Sequence, residues 1–363
     1  MTIKEDFETQ EMHKITKRII FLLFILVVVG CNKNEIGPQG NENGNPTITI
    51  TPETLGYLVI NEGNFGNGNS SLSYLDWSSS TITNNVYSTI NNETLGDIFQ
   101  SIQRIENQYY FVVNNSQKII VTDTSFHKVT TIDGFTSPRH IAEVNDNKAY
   151  ITDLFSNEIS ILDLTTNQIT GSISVAGWTE EMMKIENQIW VEDITNSKLL
   201  AINPETDIIE NEIQLSAGLS NMIQANDNTI WVMCDGGYTE PILPKLYHIN
   251  PSNHSIVHTF TFGETEAQPR FLTYNSNDDV LYYFQGGIRR MSTTDENLPS
   301  SIFIPTNLEL IYGLDYDPDN QLLLITDARD YISLGELIVY TDDGTWVNTF
   351  DTGVNPNGVF IKK

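Results

Sequence analysis

The 363-residue chain contains only two cysteines, Cys31 and Cys234. A structural zinc site made of thiolates needs several cysteines, and a disulfide needs two free ones. If Cys31 carries another modification, Cys234 remains alone. The sequence then excludes both an intramolecular disulfide framework and a cysteine-based metal site.

Positive charge is also scarce, with 19 Lys and Arg residues against 47 Asp and Glu residues and a formal net charge of −28. A protein that binds nucleic acid needs a basic surface to meet the phosphates, so the net charge argues against this function. It argues against electrostatic docking on anionic lipid for the same reason. Charged residues make up 18% of the chain, against about 25% in a typical globular domain. Asn, Thr, Ser and Ile fill the difference, which favours short strands and turns.

Long apolar runs are rare, and the longest near the N-terminus is Ile19–Val29. It is too short for a comfortable membrane-spanning helix, which needs roughly 20 residues. Because Lys14, Lys17 and Arg18 precede it, the pattern is typical of a signal peptide. The acidic residues among positions 1–11 are unusual in such a segment and suggest Met12 as the true start.

The apolar run ends in Val28-Val29-Gly30-Cys31, which resembles the lipobox of bacterial lipoproteins. We therefore expect residues 1–30 to be removed and Cys31 to be lipidated; the alternative is an uncleaved anchor with an incidental cysteine. Residues 31–52 are rich in Asn, Gly, Pro and Glu, which is typical of a flexible tether. The run Asn32–Glu35 partly resembles the export signals of Bacteroidota surface lipoproteins. This favours an outer-membrane lipoprotein on the cell surface over one facing the periplasm.

Residues 53–363 repeat a pattern of short strands with a period of roughly 40 residues. The clearest copies align Tyr150–Asp153, Trp190–Asp193 and Trp231–Cys234, each followed by a turn and further alternating strands. Related segments begin at Tyr57, Tyr110, Tyr282 and Leu323, which brings the total to seven copies. Four strands per copy predict an all-β fold, a single seven-bladed β-propeller.

The two ends of the repeat region complement each other. The first copy lacks a leading strand, and the chain ends with a spare one at Gly358–Ile361. We expect this last strand to complete the first blade and so close the ring, which removes an open sheet edge. The alternative is a solenoid of stacked sheets, which would need capping repeats that the sequence does not show.

Two sets of loops meet around one mouth of a propeller, and we call this side the near face. Its loops are rich in aromatic, amide and arginine side chains, which suit ligand binding. Some have a structural alternative. Asp153, Asp193 and Asp327 recur at one repeat position, which is typical of turn caps, and the alternative for the arginines of the two Pro-Arg pairs is that they bridge neighbouring blades. The candidate ligand-binding residues are Asn64, Phe65, Asn92, Asp97, Asn115, Arg139, Phe155, Trp178, Glu180, Tyr238, Arg270, Arg329 and Tyr331.

Enzyme signatures are scarce as well. The sequence has no Gly-x-Ser-x-Gly elbow, no P-loop and no His-Glu-x-x-His motif. His140 follows Arg139 at the start of an inner strand and could face the channel, although a structural histidine is the alternative. Carboxylates and amides could bind Ca²⁺, but the sequence does not place them together. We expect no enzyme and no required cofactor, and the nature of any metal stays open.

Two family resemblances follow from these residues. The segment Tyr150–Asp163 resembles the YVTN repeat of YncE-like propellers. The run Asn61–Gly66, together with Leu95–Asp97, Ser137–Arg139 and Gly177–Glu180, resembles Bacteroidota lipoprotein propellers that accompany TonB-dependent cobalamin uptake. The second resemblance is densest over residues 57–180. It implies a corrinoid ligand at the near face and a TonB-dependent outer-membrane transporter as partner. A structural or adhesive propeller that binds protein or glycan, and a lactonase-type hydrolase, are the alternatives.

Overall fold

The computed structural model describes residues 55–237, 242–264, 268–306, 308 and 310–362. The predicted signal peptide, the lipidation site Cys31, the tether and Tyr238 lie outside the described residues. The account below concerns the unit that begins after Thr47.

Short strands make up nearly all of the regular structure. The first half of the chain contains β1 (Gly56–Asn61), β2 (Ser71–Asp76), β3 (Thr81–Thr83), helix α1 (Val86–Asn91), β4 (Phe99–Ile105), β5 (Gln108–Val113), β6 (Lys118–Asp123), β7 (Lys128–Asp133), β8 (Pro138–Asn145), β9 (Lys148–Asp153), β10 (Glu158–Asp163), β11 (Gln168–Ser174), β12 (Thr179–Ile185), β13 (Gln188–Asp193), β14 (Lys198–Asn203) and β15 (Ile208–Gln214).

The second half continues in the same way. It contains β16 (Leu219–Gln224), β17 (Ile230–Cys234), β18 (Lys245–Asn250), β19 (Ser255–Thr261), β20 (Arg270–Asn275), β21 (Val280–Phe284), β22 (Ile288–Ser292), β23 (Ile311–Asp317), β24 (Leu322–Asp327), β25 (Leu334–Thr341), β26 (Trp346–Val354) and β27 (Pro356–Lys362).

These strands form seven antiparallel sheets, and each sheet is one blade of a seven-bladed β-propeller, as predicted. Blades 2 to 5 take their strands in chain order from β4, β8, β12 and β16, and blades 6 and 7 begin at β20 and β23. Blade 1 has the order β27-β1-β2-β3. The C-terminal strand pairs with β1 along its length, from Gly56 opposite Lys362 to Asn61 opposite Pro356. The predicted closure of the ring is therefore confirmed.

The core is divided into seven apolar clusters, one at each junction between neighbouring blades. The second strand of each blade is buried on both faces because a neighbouring blade lies on either side of it. Its recurring large residue is Tyr57, Tyr110, Tyr150, Trp190, Trp231 or Tyr282 in the first six blades, all fully buried. The outer strands are largely exposed. The repeated aromatic residues in the sequence therefore pack between neighbouring blades.

Two features depart from the repeat. Blade 6 has three strands, and its outer position holds only an isolated bridge between Ile288 and Ile304. The connection from blade 1 to blade 2 contains helix α1, which the sequence pattern did not predict. Among the residues that the structure describes, no helix is long and apolar enough to cross a membrane.

Candidate ligand site at the near face

The near face is built from two loop sets that are hydrogen-bonded to each other. One set follows the second strand of each blade, and the other precedes the inner strand. In six of the seven blades, the first residue after the second strand donates its backbone N–H to the carbonyl just before the inner strand. The donor and acceptor pairs are Glu62 to Asn355, Asn114 to Ile98, Leu154 to Ser137, Ile194 to Trp178, Asp235 to Gly218 and Ala328 to Leu310.

Every inner strand is bulged at its near-face end. In each blade the pairing of the inner with the second strand shifts register at this point. A bulge leaves one or two residues out of the ladder and redirects their side chains. The bulged positions include Gln100, Arg139, Glu180, Ser220, Phe271, Tyr312 and Asn357. Five of these, all but Ser220 and Phe271, join one polar network at the centre of the mouth, which we call the bulge network.

The strongest contact in the bulge network joins Arg139 of blade 3 to Glu180 of blade 4. The Arg139 Nε lies 2.9 and 2.8 Å from the two carboxylate oxygens of Glu180. Arg139 also donates to the side chain of Gln100 in blade 2. Burial alone would raise the pKa of Glu180, but the Arg139 guanidinium outweighs it and lowers this pKa to about 2. The ion pair is therefore charged across the whole physiological range and ties three blades together.

A second part of the bulge network surrounds Glu62, in the loop after β1. Its carboxylate accepts hydrogen bonds from Tyr312 Oη (2.9 Å) and Asn357 Nδ2 (2.9 Å). The Asn357 amide also donates to the backbone carbonyl of Gln100, at 3.1 Å. Burial raises the pKa of Glu62, and the hydrogen bonds from Asn357 and Tyr312 oppose that rise. Blades 7, 1 and 2 are thereby joined on the other side of the mouth.

Below the bulge network lies a small cavity of about 160 Å³. Its polar lining comes from Ser101, Gln103, His140 and Glu181. His140 Nε2 lies 3.5 Å from the Glu180 carboxylate, so the histidine contacts the bulge network from beneath. The sequence suggested that His140 could face the channel, and the cavity lining agrees.

The rim of the mouth carries exposed side chains on loops that bind one another. Phe65 is 71% exposed. Its neighbour Asn64 donates to the backbone carbonyl of Tyr331. The Asp97 carboxylate accepts from Gly66 N–H (2.8 Å) and from Asn115 Nδ2 (2.5 Å). The structure thus brings together five of the predicted residues, from blades 7, 1 and 2.

Two further predicted aromatic residues lie on blades 3 and 4. Phe155 is 68% exposed, on a loop held by the Asp153 carboxylate. Trp178 is half-buried, and its indole N–H donates to Glu180. Tyr331, 41% exposed, packs edge-on against Tyr312 with ring centroids 5.6 Å apart. Exposed aromatic rings therefore stand on both sides of the bulge network.

Three predicted residues do not join this arrangement. Asn92 ends helix α1, and the preceding Asn91 bonds to the Phe126 carbonyl in the β6–β7 turn, on the far face. Arg329 is directed toward the outer strands, where it contacts Glu336 and Asp351. Arg270 donates to Gln268, two residues away (2.9 Å). The assignment of Asn92 to the mouth was wrong because the sequence pattern did not predict the helix that carries it away.

The recurring aspartates are turn caps, as the structural alternative predicted. Asp153 accepts four backbone N–H groups, those of Thr136, Ser137, Phe155 and Ser156. Asp193 accepts from Asn196, and Asp327 accepts from Leu310 and Arg329. Arg139 bridges blades, again as the structural alternative held. Within the described ranges, no group of three or more His, Cys, Asp or Glu side chains is placed to hold a metal ion.

The sequence analysis missed Tyr312 and Asn357 as members of the bulge network. Each is the second residue of its inner strand. Gln100, Arg139 and Glu180 hold the same position in their own inner strands. This shared position was available as a signal. It was obscured because the side chains differ from blade to blade while the bulge is a property of the backbone.

Comparison with protein families gives one match, which covers residues 55–351 and is described as Domain of unknown function (DUF5074). No curated protein matches the chain.

Solved structures share the propeller fold at low sequence identity. A quinonprotein alcohol dehydrogenase-like protein from Bacteroides thetaiotaomicron is 12% identical with a TM-score of 0.65, over 86% of this chain and 79% of that one. A candidate 6-phosphogluconolactonase from Bacteroides fragilis is 10% identical with a TM-score of 0.64, over 86% and 99%. A functionally unknown protein from Desulfotomaculum acetoxidans is 13% identical with a TM-score of 0.63, over 84% and 98%. At these identities the likeness concerns the fold alone.

Proposed function

This chain belongs to the family of the Domain of unknown function (DUF5074), and we propose that it is a surface lipoprotein that captures cobalamin or a related corrinoid. It then passes the ligand to a TonB-dependent outer-membrane transporter. The observation that carries the proposal is the near face. Exposed aromatic and amide side chains surround a mouth whose centre is filled by hydrogen-bonded polar groups.

The size of the openings supports a ligand that rests on the surface. Pockets for drug-sized ligands are roughly 300–1,000 Å³, whereas the cavity below the bulge network is about 160 Å³. A corrinoid is larger than a typical drug, with a broad apolar ring and peripheral amides. Such a ligand has to lie across the mouth, where Phe65 and Phe155 can cover apolar surface. Asn64 and Asn115 can meet its amides.

The fixed geometry of the rim lowers the cost of binding. Immobilising a side chain or loop on binding costs affinity, so a site that is ordered beforehand binds more tightly. Here the loop of Phe65 is bonded to Asp97 and Tyr331, and the loop of Phe155 is capped by Asp153. Arg139 and Glu180 satisfy each other, which favours a scaffold role over acid–base chemistry. These features support a binding protein.

The placement of the chain ends supports delivery to a second protein. The paired residues Gly56 and Lys362 lie at the far-face ends of β1 and β27. The described part of the domain therefore begins and ends at the far face, at the opposite ends of these strands from the near-face loops. The near face is left free to receive ligand and to meet a transporter.

Calorimetric titration of the mature chain with cyanocobalamin tests the proposal. The protein would be residues 31–363 with Cys31→Ser, so that it is made without lipid. We expect one-to-one binding, and Phe65→Ala should weaken it by about tenfold, the effect of losing an aromatic contact at an interface. Trp346→Ala is the matched control because Trp346 is 57% exposed but lies on the outer strand of blade 7.

Two results would argue against the proposal. Absence of heat and of thermal stabilisation with both cyanocobalamin and cobinamide would reject corrinoid capture. Equal weakening by Phe65→Ala and Trp346→Ala would reject the near face as the site. Binding to a glycan or protein, or hydrolysis of a lactone, would then point to the adhesive or lactonase alternatives.

A further inference from the structure

Behind the mouth, at the junction of blades 4 and 5, a carboxyl group is buried without a side-chain partner. Glu192, in β13, is 1% exposed. Neither of its carboxyl oxygens accepts a hydrogen bond of normal geometry from the described residues. The backbone N–H of Glu181 is near enough to oppose the rise of the Glu192 pKa in part, but burial outweighs it. An ionised carboxylate in that position would lose most of its hydration with little compensation. A neutral carboxylic acid avoids most of this cost.

The neighbouring carboxyl group, Glu181, is in the opposite situation. Its Oε2 accepts the backbone N–H of Met222 at 3.0 Å, and its Oε1 lies 3.3 Å from the Asn221 amide nitrogen. Both donors belong to β16, the inner strand of blade 5. Hydrogen bonds to an ionised carboxylate are stronger than those to a neutral one. Glu181 is therefore the member of the pair that is better placed to carry the negative charge.

Among the described residues, the charged groups that act most strongly on Glu192 are carboxylates and include no cation. Glu180 and Glu181, both on β12, act on Glu192 with negative charge. The Glu180 charge is matched by Arg139, and His140 acts on Glu181. On the blade 5 side lies Cys234, fully buried, with Asp235 next in the chain and Lys245 on the neighbouring strand.

We propose that Glu192 is an uncharged carboxylic acid at neutral pH, with Glu181 as its anionic neighbour, and that loss of this one proton loosens the junction of blades 4 and 5 beside the mouth. Glu180 and Glu181 are consecutive residues of one bulge. Repulsion between Glu181 and Glu192 therefore acts on the same bulge that holds Arg139. Burial raises the pKa of Glu192 well above its ordinary value, and the Glu181 and Glu180 carboxylates raise it further.

Infrared spectroscopy of the mature chain tests where the proton is. The measurement is made in an Asp315→Asn background, because Asp315 is a half-buried carboxyl group on an inner strand whose pKa is also raised, to about 7. We expect the carbonyl band of a protonated carboxylic acid at neutral pH, and Glu192→Gln should remove it. Glu62→Gln is the matched control, since Glu62 is a half-buried carboxyl group that accepts two hydrogen bonds; the band should persist in that variant.

Denaturation supplies an independent readout. In the pH range between the unfolded and the folded pKa of Glu192, the folded wild type keeps a proton that the unfolded chain has lost. The equilibrium constant for unfolding should therefore rise about tenfold per pH unit in that range. Glu192→Gln should remove that contribution and unfold less readily at mildly alkaline pH. An unchanged pH dependence, or persistence of the infrared band in Glu192→Gln, would overturn the proposal. A Glu192→Gln variant that fails to fold would overturn it too. If the wild-type side chain is already uncharged, an uncharged Gln of similar size should be tolerated.

Discussion

The pKa of Asp315 is set more by the surroundings of its carboxyl group than by the residue type. It lies on the inner strand of blade 7, and its carboxylate accepts one hydrogen bond, from the backbone N–H of Val359 (2.8 Å). Burial raises its pKa to about 7, which this single hydrogen bond opposes and the negative charge of Glu181 reinforces. The same residue type in the turns, as at Asp163, has a lowered pKa because backbone N–H groups surround it. The sequence places Asp163 in a polar turn, but the raised pKa of Asp315 depends on groups that meet only when the ring closes.

This difference predicts a pH dependence for Asp315→Asn. A carboxyl group whose folded pKa is raised stabilises the protein below the unfolded value, and this stability is lost as pH rises through the folded value. For Asp315 the window runs from 3.8 to about 7. Across it, the wild type should lose about 1.4 kcal/mol of unfolding free energy per pH unit from this group. The Asn variant should lack that loss while still accepting from Val359, as measured by urea denaturation across the window. Asp146→Asn, in an exposed far-face turn, should keep the wild-type slope; equal slopes in all three proteins would contradict the assignment.

At the scale of elements, the strand repeat could be predicted from the sequence because every blade has the same order of buried and exposed strands. The second strand is buried on both faces and needs large apolar residues, whereas the outer strand does not. The length of the repeat and the number of copies follow from this pattern. The bulges were not readable, since they arise where the inner strand meets the loops and place different residues in each blade. Helix α1 was missed because six residues are too few for a helical period to show, although Val86, Tyr87 and Ile90 pack on the core. Three-stranded blade 6 was missed because its missing strand is replaced by an irregular segment.

The closing strand β27 yields a prediction at this scale. Removing residues 356–363 would expose the full edge of β1 and would take Val359 and Ile361 out of the apolar cluster between blades 7 and 1. We expect the truncated chain to lose its cooperative thermal transition and to aggregate, because an unpaired strand edge recruits other strands. Size-exclusion chromatography and a thermal melt would measure this.

A permuted chain provides the control for the truncation. Gly56 lies opposite Lys362 in the pairing of β1 and β27. Placing residues 356–362 ahead of Gly56, joined by a short turn, should therefore restore the fold. A truncated chain that melts like the full one would show that β27 contributes little to closure.

At the scale of the whole molecule, the ring separates the two ends of the described domain from the exposed aromatic side chains. Both ends of the domain lie at the far face, in the pairing of Gly56 with Lys362, whereas the exposed aromatic residues Phe65 and Phe155 lie at the near face. The large negative charge, −28 for the chain, favours solubility and does not select a ligand. Any ligand selection must therefore come from the local shape and chemistry of one face.

This division predicts how bulky attachments affect ligand binding. A polyethylene glycol chain coupled to Asn107→Cys would stand on the far face, in the turn between β4 and β5, and one coupled to Asn157→Cys would stand on the near face, in the loop after β9. In the Cys31→Ser protein the remaining native cysteine, Cys234, is fully buried, and burial raises its thiol pKa, so it should not compete for the reagent. By calorimetry with cyanocobalamin, the Asn157 conjugate should bind at least about tenfold more weakly, a loss of about 1.4 kcal/mol, and the Asn107 conjugate should bind like the unmodified protein. Weakening by the Asn107 conjugate alone would place the ligand at the opposite mouth of the channel.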